Sequence, residues 1–181
     1  SADALEFREK IIANIRKKTL ENAKLLSELA VEETGMGNVG HKIIKHQLVA
    51  EKTPGTEDLK TIAWSGDRGL TLTEMGPWGV IGAVCPSTNP TCTVICNSIG
   101  MLAAGNAVVF MPHPSAKNCS NLAIDMVNRA SVEVGGPENI VTAVAEPTMD
   151  VSNYISSTKT WICSVLPAAR ACDRSPFLRK E

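Results

Sequence analysis

Two hydrophobic periods divide the chain. Over residues 3–34 the apolar positions recur at helical spacing, with Ile11, Ile12 and Ile15 on one face and Leu25, Leu26 and Leu29 repeating it, so the pattern predicts helix. Thr19 stands where it can cap a second helix, with Glu21 in that helix's first turn. Asn22 occupies the place where a capping box wants Glu or Gln, which argues against a break. Gly35 and Gly37 end the stretch. A further helix is expected over Val39–Ala50, and Pro54-Gly55 interrupts the chain beyond it. From Leu70 the period shortens. Leu70-Thr-Leu-Thr-Glu-Met75 alternates, the signature of a half-buried strand. After a turn at Pro77 and Gly79, Val80-Ile-Gly-Ala-Val-Cys85 is continuously apolar, as a parallel strand covered on both faces should be. Helix is expected from Thr93 to Ala104, strand over Ala107–Met111, helix from a Ser115 cap, and strand over Ile140–Val144. Leu122, Met126 and Ala130 form the stripe of that last helix, with Ala123 and Val127 beside them, and Gly135-Gly136-Pro137 closes it.

Three short apolar strands alternating with two helices make a β-α-β-α-β unit, which builds a parallel sheet with right-handed crossovers. The fold class is α/β, a Rossmann-like parallel sheet preceded by amino-terminal helices. Ligands of such sheets bind beyond the carboxyl ends of the strands. The loops there are residues 86–90, 112–115 and 145–148; each contains proline and small or polar side chains. Proline pre-sets the backbone, small side chains let a flat ligand approach it, and the first two loops lead into helix amino ends, which favour anions. The G-x-G-x-x-G fingerprint is absent from all three loops, which disfavours an ordinary dinucleotide fold of that type.

Composition narrows the options further. The chain has 181 residues, 44% of them apolar, with a net charge of −1; this supports a packed core and gives no footing for a nucleic-acid or membrane-surface partner. No apolar run reaches the roughly 20 residues that span a bilayer. Of six cysteines, Cys85 and Cys96 lie among apolar neighbours, consistent with reduced, buried thiols in a cytoplasmic protein. Cys92 and Cys96 lack the further ligands zinc needs. His41 and His46 fall in a charged helical segment and are expected at the surface.

The residues also carry a resemblance. Pro77-Trp-Gly-Val-Ile-Gly-Ala-Val-Cys-Pro-Ser-Thr-Asn-Pro90 and Ala103-Ala-Gly-Asn-Ala-Val-Val-Phe-Met-Pro-His-Pro114 resemble the opening of the nucleotide-binding domain of aldehyde dehydrogenases. The loop pair P-S-T-N-P-T and P-H-P-S-A-K, with Glu33-Thr-Gly-Met-Gly37 and Gly135-Gly-Pro-Glu-Asn-Ile-Val141, resembles the CoA-acylating branch, which includes the propionaldehyde and acetaldehyde enzymes of bacterial microcompartments. The resemblance implies oxidation of a short aldehyde with NAD through a cysteine thioester, transfer of the acyl group to coenzyme A, and a homo-oligomeric, cytoplasmic or microcompartment enzyme. It places the two cofactors in turn against Pro86, Ser87, Thr88, His113, Pro114, Ala145, Glu146 and Pro147. It assigns the oxyanion donor to Asn89 or to Thr88; ungapped counting back from Asn106 favours Thr88, whereas side-chain chemistry favours Asn89. Met111 stands where non-acylating relatives carry a lysine, which fits a pocket shared by NAD and coenzyme A. The aldehyde half of a fused aldehyde–alcohol dehydrogenase, or a nucleotide-binding module without catalysis, has the same loop motifs.

The resemblance covers residues 4–157 and then fails. In place of the family's short strand and glycine-rich turn stands Lys159-Thr-Trp-Ile-Cys-Ser-Val-Leu-Pro-Ala-Ala-Arg-Ala171. With suitable synonymous codons, the same bases read two later spell Asp-Val-Asp-Leu-Leu-Cys-Ala-Thr-Gly-Gly-Pro-Gly, the missing strand and turn. The expectation is therefore a first unit over residues 1–157 and an aberrant, frameshifted tail over 158–181. No cysteine of the chain stands in the context of the family's nucleophile, so the catalytic domain is expected to be absent and the chain inactive alone.

Overall fold

The computed structural model describes residues 2–148, 150, 151, 154 and 163–165. The amino-terminal segment is one helix, α1 (Ala2–Thr34). Thr19 does not cap a second helix, in keeping with Asn22 standing where a capping box wants Glu or Gln. Thr19 and Ser27 lie on the buried stripe with Ile11, Ile12, Ile15, Ala23, Leu26 and Ala30, and each hydroxyl donates to the carbonyl four residues back, Ile15 and Ala23. That back-bonding lets a hydroxyl sit in a core without an orphaned donor. Leu25, expected on the stripe, is exposed. Gly35, at φ +66°, ends the helix, its N–H donating to Val31 O at 2.8 Å.

Helix α2 (Val39–Lys52) begins at Asn38, whose Oδ1 accepts from the His41 N–H. Strand β1 (Ile62–Gly66) pairs antiparallel with β2 (Gly69–Thr73) in a separate hairpin. Sequence reading misses β1 and misplaces the burial of β2. Leu70 and Leu72 are exposed, as are Ile62 and Trp64; the alternation is real, but nothing among the described residues covers either face.

The parallel sheet has the order β5-β4-β3-β6, built from β3 (Val80–Val84), β4 (Ala107–Met111), β5 (Val141–Ala143) and β6 (Cys163–Val165). Helices α3 (Pro90–Ala103) and α4 (Lys117–Val132) connect β3 to β4 and β4 to β5 and pack on each other, with α1 laid across both. Ile81, Ala83, Val108, Phe110 and Val141 face this helical layer and are buried, while Val80, Val84, Ala107 and Val109 are only half-buried. Among the described residues, then, one face of these strands is sealed and the other is only partly covered. On α4 the buried stripe is Cys119, Ala123, Ile124, Val127 and Ala130, and the expected member Leu122 is exposed. Asn106 locks the start of β3 to the end of α3: its Oδ1 accepts from the N–H groups of Trp78 and Gly79 at 2.6 and 3.0 Å, and its Nδ2 donates to Met101 O at 3.1 Å.

Candidate functional site at the carboxyl edge of the sheet

The register brings the three expected loops side by side. Val84 pairs with Met111, and Phe110 with Ala143. At this end the ladder runs one bond further on each side of β4, Cys85 N–H to Met111 O and Val144 N–H to Phe110 O, both 2.9 Å. Pro86, Ser87, Thr88 and Asn89, then His113 and Pro114, then Ala145, Glu146 and Pro147 thus leave the same edge of neighbouring strands.

The first loop is held from α2. Lys42, Lys45 and His46 share one face of that helix at spacings of three and four. Lys42 Nζ donates to Thr88 O at 3.2 Å, Lys45 Nζ to Asn89 Oδ1 at 3.2 Å, and His46 Nε2 lies 2.9 Å from Thr91 Oγ1. Between α2 and the loop is a recess of about 370 Å³ lined by His41, Lys42, Lys45, Thr88 and Asn89 among others, with no acidic side chain in its lining. Asn89 occupies the N-cap position of α3 yet makes no side-chain cap bond. Its amide oxygen goes to Lys45, and among the described residues its amide hydrogens have no partner.

His46 corrects the expectation of a surface histidine. It is fully buried between α1, α2 and α3, with Nδ1 2.8 Å from Lys42 O and 3.1 Å from Ser27 Oγ. Burial lowers its pKa; the Lys42 carbonyl opposes this in part, and the Lys42 charge adds to the lowering. The neutral ring with hydrogen on Nδ1 fits these partners: it donates to Lys42 O and accepts from the Thr91 hydroxyl. Charge along α2 suggests a solvated helix, and the partners His46 meets on other elements, Ser27 of α1 and Thr91 of α3, are out of view of local sequence. His41 is exposed, as expected.

The second loop departs from expectation in a way that bears on ligands. Ser115 does not cap α4. It sits in a short 3₁₀ turn, Pro114–Ala116, and its N–H and hydroxyl contact His113 Nδ1 at 3.2 and 2.7 Å. The cap comes from α1 instead: the Glu33 carboxylate accepts from Asn118 N–H at 2.9 Å and Cys119 N–H at 2.7 Å. Partial burial raises the Glu33 pKa, but the Cys119 and Asn118 amides outweigh it and leave it below the usual carboxylate range. The amino end of α4, expected to be open to a phosphate, thus already holds an anion. In the third loop Glu146 pairs with Lys117 of α4 at 2.7 Å.

Three of the thiols are poor nucleophiles. Burial pushes Cys85 and Cys119 up to about 12, and Cys92 to about 11. Cys96 is half-buried.

The aldehyde dehydrogenase family model matches residues 2–162. An acetylating acetaldehyde dehydrogenase of Bilophila wadsworthia is 57% identical over 151 residues, 83% of this chain and 31% of that protein. Among solved structures, a mutant of the propionaldehyde dehydrogenase from the Clostridium phytofermentans fucose utilisation bacterial microcompartment is 60% identical with a TM-score of 0.88, covering 92% of this chain and 39% of that one. Rhodopseudomonas palustris propionaldehyde dehydrogenase with bound propionyl-CoA is 47% identical with a TM-score of 0.88, covering 92% and 37%. The chain spans about a third of the length of the curated relatives it matches. With the parallel sheet and its loops arranged in this way, the chain belongs to the aldehyde dehydrogenase family and is similar to its CoA-acylating members.

Proposed function

We propose that this chain supplies the amino-terminal part of the cofactor cradle and the oxyanion donor of an enzyme that oxidises a short aldehyde to its acyl-CoA with NAD. One observation carries the reading: three proline-containing loops leave one edge of a parallel sheet in register, in a chain similar to an enzyme solved with propionyl-CoA. When bound, NAD would accept the hydride and coenzyme A the acyl group.

The residues present fit such groups at the loop tips. Ser87, Thr88, Pro114 and Ala145 are small, so a flat base can lie against the backbone. They do not fit a phosphate on α4, where Glu33 would repel it. The cofactors therefore rest on Pro86, Ser87, Thr88, His113, Pro114, Ala145, Glu146 and Pro147, without help from that helix terminus. Asn89 is the better oxyanion donor of the two candidates. Its amide oxygen is taken by Lys45 and its amide hydrogens lack a partner among the described residues. Thr88 is fixed through its backbone carbonyl instead. A carbonyl oxygen that gains charge during attack needs such a preorganised donor. The attacking thiolate is none of Cys85, Cys92 or Cys119, whose protons are held too tightly.

Two measurements test this. Titration of the chain with NAD and with coenzyme A should shift amide resonances of residues 87–89, 113 and 145–146; binding that leaves all three loops silent sinks the cradle. In a hybrid carrying residues 2–148 in the Clostridium phytofermentans enzyme, Asn89→Ala should lower kcat by roughly 100- to 1,000-fold, the usual cost of one oxyanion donor. Thr88→Ala should leave kcat nearly unchanged, and the opposite ranking moves the donor to Thr88.

A further inference from the structure

Of the two α2 lysines that reach the first loop, Lys42 is the buried one. It is only 5% exposed. It has no carboxylate partner among the described residues, and its ammonium donates to a single neutral carbonyl, that of Thr88. Gly37, at φ +85°, closes over it so tightly that a Cβ there would stand 3.3 Å from Lys42 Cε. Burying a cation without an opposite charge is unfavourable, and an apolar side chain of similar volume often serves the fold as well or better. The position of the ammonium accounts for its presence. Thr88 immediately precedes Asn89, Lys45 takes the Asn89 amide oxygen, and His46 holds Thr91 on the far side of Pro90.

The geometry points to Lys42 as a positioning residue: by gripping the Thr88 carbonyl it fixes the turn from which Asn89 presents its amide hydrogens. This rests on the proposed oxyanion role of Asn89. Lys42 touches no reacting atom; it acts through the backbone of Thr88.

The test is Lys42→Met in the 181-residue chain, with Lys42→Arg as the conservative variant. The expected result for Lys42→Met is a melting temperature equal to or above that of the parent. At the same time the Thr88 and Asn89 backbone amides and the Asn89 side-chain amide should shift and broaden. Lys42→Arg should restore the parent loop signals. Two results overturn the inference: unchanged loop signals in Lys42→Met, or a lowered melting temperature with shifts spread along α2 and α3, the mark of a packing role. The Asn89→Ala turnover test reads the underlying assignment separately. Unaffected turnover there removes the oxyanion role of Asn89, whereas silent loop signals here remove only the role of Lys42.

Discussion

Replacing Glu33 by alanine strips α4 of the side-chain cap it has among the described residues. Two backbone N–H groups, on Asn118 and Cys119, lose a carboxylate that accepts them at 2.9 and 2.7 Å. Loss of a capping side chain costs about 1 kcal/mol, and the charge at a helix amino end adds about 0.3–1 kcal/mol. Cys119 is buried at the junction with α1, so its freed N–H is poorly hydrated, which brings the expected loss to roughly 2 kcal/mol. Glu33→Gln retains an acceptor without the charge and should lose about half as much. Urea denaturation tracked by far-ultraviolet circular dichroism measures both. The pH dependence comes from the lowered pKa. A carboxyl held below its ordinary value stabilises the fold fully above that value, and the contribution fades as pH falls through the depressed one. The gap between parent and Glu33→Ala should therefore be constant at neutral pH and close in acid. The uncapped helix should also regain stability in sulfate, because its amino end is then free for an external anion. A variant that unfolds at the parent's urea midpoint, or that ignores sulfate, refutes the capping role.

The pKa of His46 is lowered by burial, so the unfolded chain takes up the proton first and stability should fall as pH drops below the ordinary histidine value. Equilibrium unfolding at pH 8 and 5.5 should show this slope in the parent and its loss in His46→Gln. Under native conditions at pH 8, iodoacetamide should label Cys96 ahead of Cys85, Cys92 and Cys119, as peptide mass spectrometry would report; rapid labelling of Cys85 contradicts its raised pKa. Asn106→Asp keeps the acceptor for Trp78 and Gly79 but turns the donor to Met101 O into a repulsion, and should cost about 2–3 kcal/mol by denaturation; a neutral result would mean Asn106 does not hold the β3–α3 junction.

The sheet is legible in sequence because its signals are local. Ala107–Met111 is a strand in both readings, and the loops that end β3, β4 and β5 lie where apolar runs give way to proline. The contacts that shape the site are not local. Glu33 caps a helix that begins more than 80 residues later, and it stands in a motif whose sequence reveals only a turn. The face made by Lys42, Lys45 and His46 is visible as helical spacing, but charge alone argues for solvent, and only the docking of α2 on α3 supplies the carbonyl and hydroxyl they meet. Thr19 misleads for the same reason: a hydroxyl suited to a cap satisfies itself just as well on the preceding turn.

The hairpin and the turn before β3 place Trp64 and Trp78 at 62% and 61% exposure. Indoles so open to water emit at long wavelength in the native protein, and unfolding changes their surroundings little. Intrinsic fluorescence is therefore a poor reporter of melting for these two residues. It is correspondingly a good one for docking, since any surface that covers Trp64 together with Leu70 or Leu72 would move the emission to the blue.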